Sequence, residues 1–138
     1  VLDVGTGAGL PGLPLAILQP QRQFTLLDSA GKKLRFIQQM TVQLGLKNVK
    51  TVHGRVEAQQ QAVDCITSRA FAPLPRMLEW CGHLMAPGGR LLAMKGQFPD
   101  EEAEGIPSQY RLNAVIPLAI PGVEAERHLL EIVRAEDA

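Results

Sequence analysis

The residues with the clearest chemical potential stand at the start of the chain, where an acid and several glycines follow a short apolar stretch. Asp3 precedes Gly5, Gly7 and Gly9 in the segment 3–9, whose sequence is DVGTGAG. Glycine has no Cβ, so it can adopt positive φ angles and lets the backbone approach a ligand closely. A strand, a glycine loop and a helix in this order are typical of a site for a nucleotide-like ligand. The pattern therefore predicts such a site, and the open question is which ligand it takes.

Two ligand classes fit this loop. The spacing GxGxxG in residues 7–12 satisfies the dinucleotide fingerprint, and Asp28 lies about 20 residues downstream, as a ribose-binding acid would. Asp3 favours another ligand, because a carboxylate at the mouth of the loop would repel a pyrophosphate and attract a positive charge. S-adenosylmethionine carries an ammonium and a sulfonium, and the acid with its glycines resembles motif I of the class I S-adenosylmethionine-dependent methyltransferases. A glycine turn that binds nothing is the third interpretation.

The elements around this loop alternate in type. Apolar runs of four to seven residues alternate with helical patterns, which predicts an α/β fold with helices on both faces of a mostly parallel sheet. Strands are predicted at 1–4, 24–27, 49–53, 63–68 and 91–95, helices at about 10–18, 32–44 and 73–85, and a closing antiparallel pair at 112–120 and 129–133. This order favours a seven-stranded methyltransferase sheet over the parallel sheet of a dinucleotide fold. The length predicts one domain, residues 1–138.

Polar residues follow four of the predicted strands, at the edge where an open α/β sheet binds its ligands. Asp28 has two carboxylate oxygens for two ribose hydroxyls, although an acid at a helix start explains it equally well. Glu57 could accept a hydrogen bond from an adenine amine while the Val56 amide contacts a ring nitrogen, or it could simply begin a helix. Leu10 would give the ligand apolar cover. Arg69 could bind cofactor or phosphate, or form a structural salt bridge.

Charge and composition narrow the function classes. Residues 1–95 hold 11 basic and 5 acidic side chains, whereas residues 96–138 hold 3 and 9. A basic front suits an anionic macromolecule on one face, although solvated surface charge explains the same counts. The two cysteines and three histidines have no metal-ligand spacing, so no metal site is predicted. No apolar stretch reaches the roughly 18 residues of a membrane span.

Six segments of the chain, taken in order, resemble the ribosomal RNA small subunit methyltransferase G family, also called glucose-inhibited division protein B. They are residues 3–12, 26–29 with Lys32 and Lys33, 55–57, 68–72, 94–96 and 126–128. The Leu-Pro-Gly extension at 10–12 and the Ser-Arg-Ala-Phe sequence at 68–71 are far more specific than motif I. The resemblance covers nearly the whole chain.

This resemblance implies a cytoplasmic methyltransferase with the class I, Rossmann-like fold. Its cofactor would be S-adenosyl-L-methionine, and its target N7 of one guanine, position 527 in the reference numbering, in bacterial 16S ribosomal RNA, free or in the 30S subunit. Cofactor contacts are implied for Gly5, Leu10, Val56, Glu57 and Arg69, beside Gly7 and Asp28 from the loop pattern. Guanine N7 has a free lone pair and loses no proton on methylation, so no catalytic acid or base is predicted. The family has an N-terminal helical segment that this chain lacks, so we expect the chain to be a fragment.

Two other functions stay open at this point. An NAD-dependent oxidoreductase would use the same glycine spacing, but Asp3 and the missing catalytic Tyr-Lys or His pattern disfavour it. A non-catalytic RNA-binding or cofactor-sensing module would keep the same fold without turnover. Binding of S-adenosylmethionine against NAD, followed by methyl transfer to 16S RNA, distinguishes the three.

Overall fold

Along the chain a helix or a 3-10 turn lies between successive strands, except between the last two strands. A computed structural model describes residues 1–69, 72–96, 100–122 and 124–137. Its strands are β1 (Leu2–Val4), β2 (Phe24–Asp28), β3 (Val49–His53), β4 (Val63–Ser68), β5 (Met85–Lys95), β6 (Tyr110–Pro117) and β7 (His128–Arg134). Its helices are α1 (Gly12–Leu18), α2 (Gly31–Gln43), α3 (Leu74–Cys81) and α4 (Asp100–Glu104), with short 3-10 turns at Val56–Ala58, Gly82–Leu84 and Ala135–Asp137.

The seven strands form one sheet in the order β3-β2-β1-β4-β5-β7-β6. The first five strands pair in parallel, and β7 pairs antiparallel with both β5 and β6. The predicted mostly parallel sheet with a C-terminal antiparallel pair is thereby confirmed. The strand order reverses at β1, between β2 and β4, and such a switch point is where open α/β sheets place their ligands.

Some predicted boundaries were wrong, and each has a local cause. Strand β5 begins at Met85 instead of 91, because Val63 pairs with Met85 and Cys65 with Arg90, so the intervening Pro-Gly-Gly sequence bulges out of the ladder. The helix predicted at 73–85 ends at Cys81 and continues as a 3-10 turn. Ala70 and Phe71, part of the Ser-Arg-Ala-Phe segment, lie outside the described residues.

The core has two parts, one on each face of the sheet. Helices α1 and α2 cover one face through Leu13, Ala16, Leu34 and Ile37, which pack on Phe24 and Leu26. Helix α3 covers the other face, where its buried side chains meet those of the central strands. That larger cluster includes Leu27, Ile66, Leu74, Met77, Leu78, Leu91, Leu130 and Ile132. The two layers hold the strand ends rigidly beside one another.

The carboxylate of Asp3 holds the glycine loop from inside the fold. Only 1% of Asp3 is exposed. Its Oδ2 accepts hydrogen bonds from the Thr6 hydroxyl at 2.7 Å and the Gly12 N–H at 3.0 Å, and its Oδ1 accepts one from the Thr67 hydroxyl at 2.9 Å. Burial raises the pKa of Asp3, against the opposing effects of these hydrogen bonds and of the nearby charge on Arg69. The expectation of a carboxylate at the mouth of the loop is therefore wrong.

The first N–H groups of α1 already have acceptors within the protein. The Gly12 N–H donates to Asp3, and the Leu13 N–H donates to the Gly9 carbonyl at 2.6 Å. Helix α1 begins at Gly12, two residues later than predicted. These N–H groups therefore close the loop against the sheet and the helix.

Substitution of Gly12 tests how tightly the loop is packed against the sheet. A Cβ at Gly12 would lie 2.8 Å from Asp3 Oδ2 and 2.9 Å from Leu26 Cγ. We expect Gly12→Ala to lower the free energy of unfolding in urea by about 1–3 kcal/mol, the usual cost of overpacking. Gly31→Ala is the matched control at the first residue of α2, where the nearest atom to a Cβ is His53 Cε1 at 3.4 Å. Equal unfolding free energies for the two variants would contradict this close packing.

The raised pKa of Asp3 predicts a pH-dependent stability. The folded chain binds the proton of Asp3 more tightly than the unfolded chain does, so this group lowers stability as pH rises from its ordinary pKa of about 3.9 through the raised value. Asp3→Asn removes the charge, and its amide can keep oxygen toward Thr6 and Gly12 while donating to the Thr67 hydroxyl.

We therefore expect urea unfolding across this pH range to show Asp3→Asn gaining stability relative to the parent chain as pH rises. Asp3→Leu leaves the same polar groups unpaired and is expected to cost about 1–3 kcal/mol for each at every pH. A difference between Asp3→Asn and the parent chain that does not change with pH would contradict the prediction.

Candidate functional site

A cavity of about 200 Å³ opens at the carboxyl ends of β1, β2 and β3. These strands are neighbours in the sheet, and the cavity lies beside the point where the strand order reverses. The lining residues are Val4, Gly5, Leu27, Asp28, Ser29, Gly54, Arg55, Val56, Glu57 and Trp80. Four of the predicted cofactor-binding residues, Gly5, Asp28, Val56 and Glu57, thus line one cavity.

Asp28 connects the glycine loop to the start of α2. Its Oδ2 accepts a hydrogen bond from the Gly7 N–H, and its Oδ1 accepts one from the Ala30 N–H, both at 2.8 Å. Each carboxylate oxygen has a second lone pair, so both oxygens keep capacity for hydroxyl groups in the cavity. The two interpretations of Asp28 are therefore compatible, since it lies at a helix start and also lines the cavity.

The segment after β3 forms the wall opposite the glycine loop. The Gly54 N–H donates to the Asp28 carbonyl at 3.1 Å, which joins the ends of β3 and β2. The chain then makes one 3-10 turn, in which Val56 is buried and Glu57 is exposed. The Glu57 carboxylate is thus available at the rim, above an apolar floor to which Val56 contributes.

Gly7, Leu10 and Arg69 lie beside the cavity and not in its lining. A Cβ on Gly7, whose φ is +58°, would lie 3.5 Å from Arg69 Nη2, so the guanidinium of Arg69 is next to the glycine loop. Among the described residues Arg69 makes no ion pair, although its charge acts against the rise in the pKa of Asp3. Leu10 is 43% exposed, and its N–H donates to the Thr6 carbonyl at 3.1 Å.

Sequence reasoning alone does not single out Trp80, which the structure adds to the site. Trp80 is the only tryptophan in the chain, and it lines the cavity from α3 while half-buried against the larger core cluster. The guanidinium carbon of Arg76 lies 5.6 Å from the centroid of its ring. A helical pattern predicts that such a residue packs in the core, and only the packing of α3 on the sheet brings it beside Glu57.

A larger cleft, of about 730 Å³, lies between α3 and the region where β6 begins and β7 ends. None of the predicted site residues lines it. It is located away from the carboxyl ends of the parallel strands, so its size alone does not make it the candidate site.

Other kinds of chemistry find little support in the described residues. Burial raises the pKa of the Cys81 thiol to about 12 and also raises that of Cys65, so both remain neutral thiols. No group of three His, Cys, Asp or Glu side chains that could hold a metal ion occurs within residues 1–69, 72–96, 100–122 and 124–137. In the same ranges no helix is long and apolar enough to cross a membrane.

Comparison with known sequences identifies a family. A family model described as rRNA small subunit methyltransferase G matches residues 1–130. Two curated relatives are named Ribosomal RNA small subunit methyltransferase G. The protein from Shewanella amazonensis is 52% identical over 136 residues, which are 97% of this chain and 66% of the relative. The protein from Aeromonas salmonicida is 54% identical over 132 residues, 94% of this chain and 64% of the relative. The chain thus spans slightly less than two thirds of their length.

Comparison with solved structures supports the fold. TrmN from Thermus thermophilus superposes with a TM-score of 0.76 at 20% identity, covering 96% of this chain and 43% of that protein. A SAM dependent methyltransferase from Aquifex aeolicus superposes with a TM-score of 0.70 at 19% identity, covering 96% of this chain and 80% of that protein. The predicted methyltransferase fold is confirmed, and the match of the family model over residues 1–130 shows that the chain belongs to the rRNA small subunit methyltransferase G family.

Proposed function

We propose that this chain is the S-adenosylmethionine-binding domain of a methyltransferase that acts on N7 of a guanine in 16S ribosomal RNA. The observation that carries the proposal is that Asp28 and Glu57, at the ends of neighbouring strands, line one cavity with Gly5 and Val56. A carboxylate on one side suits the two ribose hydroxyls, and a carboxylate beside a backbone amide suits the edge of adenine. The names of the relatives support a ribosomal RNA substrate.

The size of the cavity indicates which part of the cofactor it would hold. A volume of about 200 Å³ is below the roughly 300–1,000 Å³ of sites that enclose a whole drug-sized ligand. It suits the adenosine part, and the methionine part would then lie across the glycine loop. Leu10 and Arg69 flank that loop, where an apolar side chain can cover the ligand and a guanidinium can bind a carboxylate.

The hydrogen bonds of α1 disfavour the NAD-dependent alternative. A dinucleotide fold binds pyrophosphate with the free N–H groups at the start of this helix. Here the Gly12 N–H donates to Asp3 and the Leu13 N–H donates to the Gly9 carbonyl. The N–H groups of Gly12 and Leu13 are therefore not free to bind a pyrophosphate.

The proposed reaction depends on alignment of the methyl group with the guanine more than on proton transfer. S-adenosylmethionine would supply an activated methyl group: the N7 lone pair would form the new bond to carbon while the carbon–sulfur bonding pair stays on sulfur, and no proton is released. Asp28 and Glu57 would fix the adenosine end, and the loop with Arg69 would fix the other end, so that the methyl group faces the incoming base. Proximity and orientation of this kind can supply about 7–11 kcal/mol of a reaction barrier.

Cofactor binding can be read from Trp80, the only tryptophan in the chain. We expect S-adenosylhomocysteine to change the fluorescence of Trp80 and to stabilise the fold, by about 2.7 kcal/mol at 100 times its dissociation constant. NAD at the same concentration should do neither. Trp80→Phe is the control, in which calorimetry should still detect binding without the optical signal.

Methyl transfer to a 16S RNA transcript is then measured, with the chain alone and with the chain extended by the additional segment of the Shewanella amazonensis relative. We expect transfer to be weak for the chain alone and restored by the extension. Stronger stabilisation by NAD, or no transfer by either form, would overturn the proposed function.

Substitution of Asp28 tests the placement of the ribose. We expect Asp28→Ala to weaken binding of S-adenosylhomocysteine by about 10- to 100-fold in calorimetry, because hydrogen bonds to charged groups contribute about 1.5–3 kcal/mol each. Asp28→Asn should have a smaller effect, since it keeps one acceptor oxygen. The control is Asp64→Ala, which removes an exposed acid at the amino end of β4, away from the carboxyl ends of the strands. Unchanged affinity in Asp28→Ala would show that the acid serves only Gly7 and Ala30.

A further inference from the structure

The edge of the sheet formed by α2 and β3 carries charge of one sign only. Between Asp28 and Glu57 the sequence contains six Lys and Arg and no Asp or Glu. All six basic residues are exposed: Lys32, Lys33, Arg35, Lys47, Lys50 and Arg55. Strand β3 is the end strand of the sheet that the described residues form. Lys32, Lys33 and Arg35 lie on α2, whereas Lys50 lines a cavity with Leu2 and Leu27 on the opposite face of the sheet. We call the border of the sheet that carries these six residues the cationic edge.

The positive charge of this edge is not neutralised within the described residues. The ion pairs found there join Arg76 to Glu79 at 3.7 Å and Arg90 to Glu131 at 3.2 Å, both outside the cationic edge. The acids that flank this stretch of sequence are Asp28, which accepts hydrogen bonds from backbone N–H groups, and Glu57, two residues after Arg55. Lys32, Lys33 and Arg35 lie together at the start of α2, so their like charges repel one another, and a polyanion bound beside them relieves that repulsion.

The position of three of these cations argues against a role in helix stability. Lys32, Lys33 and Arg35 lie within the first five residues of α2, and no acid occupies the first turn. The N-terminus is the positive end of the helix dipole, where acids are favourable and each cation is unfavourable by about 0.3–1 kcal/mol. An anion bound beside this end of the helix would offset that cost.

An exposed aromatic side chain lies among the same cations. Phe36 is 48% exposed, whereas its neighbours Leu34 and Ile37 are buried against the sheet. Lys32 and Phe36 are four residues apart and therefore share one face of α2. Cations beside an exposed aromatic ring are typical of surfaces that bind single-stranded RNA, where phosphates contact the cations and an unpaired base stacks on the ring.

We propose that the cationic edge, together with Phe36, binds a single-stranded segment of the RNA substrate. Lys32 and Arg35 contact phosphates, and Phe36 stacks on an unpaired base. Helix α2 begins three residues after Asp28, so this surface adjoins the cavity and holds RNA that flanks the methylated guanine. The identification of the polyanion as ribosomal RNA rests on the proposed function.

The salt dependence of RNA binding tests the phosphate contacts. Binding of the chain to a 16S RNA transcript is measured between about 50 and about 200 mM KCl, where the slope of log affinity against log salt counts phosphate contacts. We expect the double variant Lys32→Gln/Arg35→Gln to reduce the magnitude of this slope by about 1.4, at about 0.7 for each contact to a single strand. The matched control is Arg22→Gln/Arg111→Gln, which removes the same charge from exposed positions off the cationic edge. The control should change the slope far less.

A second pair of variants tests stacking on α2. We expect Phe36→Ala to weaken RNA binding about tenfold at every salt concentration, because it removes the stacking of one base on one aromatic side chain. Val42→Ala, on the same helix and 81% exposed, should leave RNA affinity unchanged. Equal affinities for Phe36→Ala and Val42→Ala would remove the stacking contact from the proposal.

Calorimetry with S-adenosylhomocysteine separates this proposal from the proposed function. All four variants should bind it as the parent chain does, and a parent chain that does not bind it would overturn the proposed function. Equal salt slopes for the two double variants, or no measurable RNA binding by the parent chain, would overturn the cationic edge as an RNA site while leaving cofactor binding intact. Binding of the parent chain to phosphatidylserine vesicles in preference to RNA, lost in Lys32→Gln/Arg35→Gln, would also overturn it.

Discussion

The buried carboxylate of Asp3 links three parts of the fold. It accepts hydrogen bonds from Thr6 in the glycine loop, from Gly12 at the start of α1 and from Thr67 on β4. The loop closed in this way presents the Gly7 N–H to Asp28. Burial raises the pKa of Asp3, so the arrangement has an electrostatic cost, which three hydrogen bonds offset in part. Asp3 thus supports the loop next to Gly5 and Asp28, which line the cavity.

Asp3 and Asp28 are two acids of the same type with different tasks. Asp3 is buried and bonded only within the protein, whereas Asp28 is half-buried and lines the cavity. A GxGxxG spacing therefore does not by itself define the ligand. Here the carboxylate of Asp3 accepts a hydrogen bond from the first N–H group of α1, so that group is not free for a pyrophosphate.

The charge distribution fits the same division between an inner scaffold and an outer surface. The chain has no net charge. The charged side chains of residues 29–56 are nevertheless all basic, and those of residues 96–138 are mostly acidic. Attraction of a polyanion to one side requires this separation and not a high net charge.

Much of this fold can be predicted from the sequence, because local spacing determines local structure. The bounds of β3 and β4 are those that the apolar runs predicted, and the C-terminal antiparallel pair, Tyr110–Pro117 with His128–Arg134, overlaps the pair predicted at 112–120 and 129–133. Gly5, Asp28 and Glu57 could be expected near one another, because the carboxyl ends of neighbouring parallel strands meet at one edge. The family resemblance rested on motifs in that same order.

Other features were decided only by the tertiary structure, since they depend on residues far apart in the chain. Asp3 points inward because the pairing of β1 with β4 places Thr67 beside it, 64 residues away. Strand β5 begins early because its pairing with β4 continues across a Pro-Gly-Gly bulge. Trp80 reaches the cavity because α3 packs over the ends of the first strands. Amino-acid spacing determined which residues could meet at the strand ends, and the register of the sheet and the packing of α3 decided which of them do.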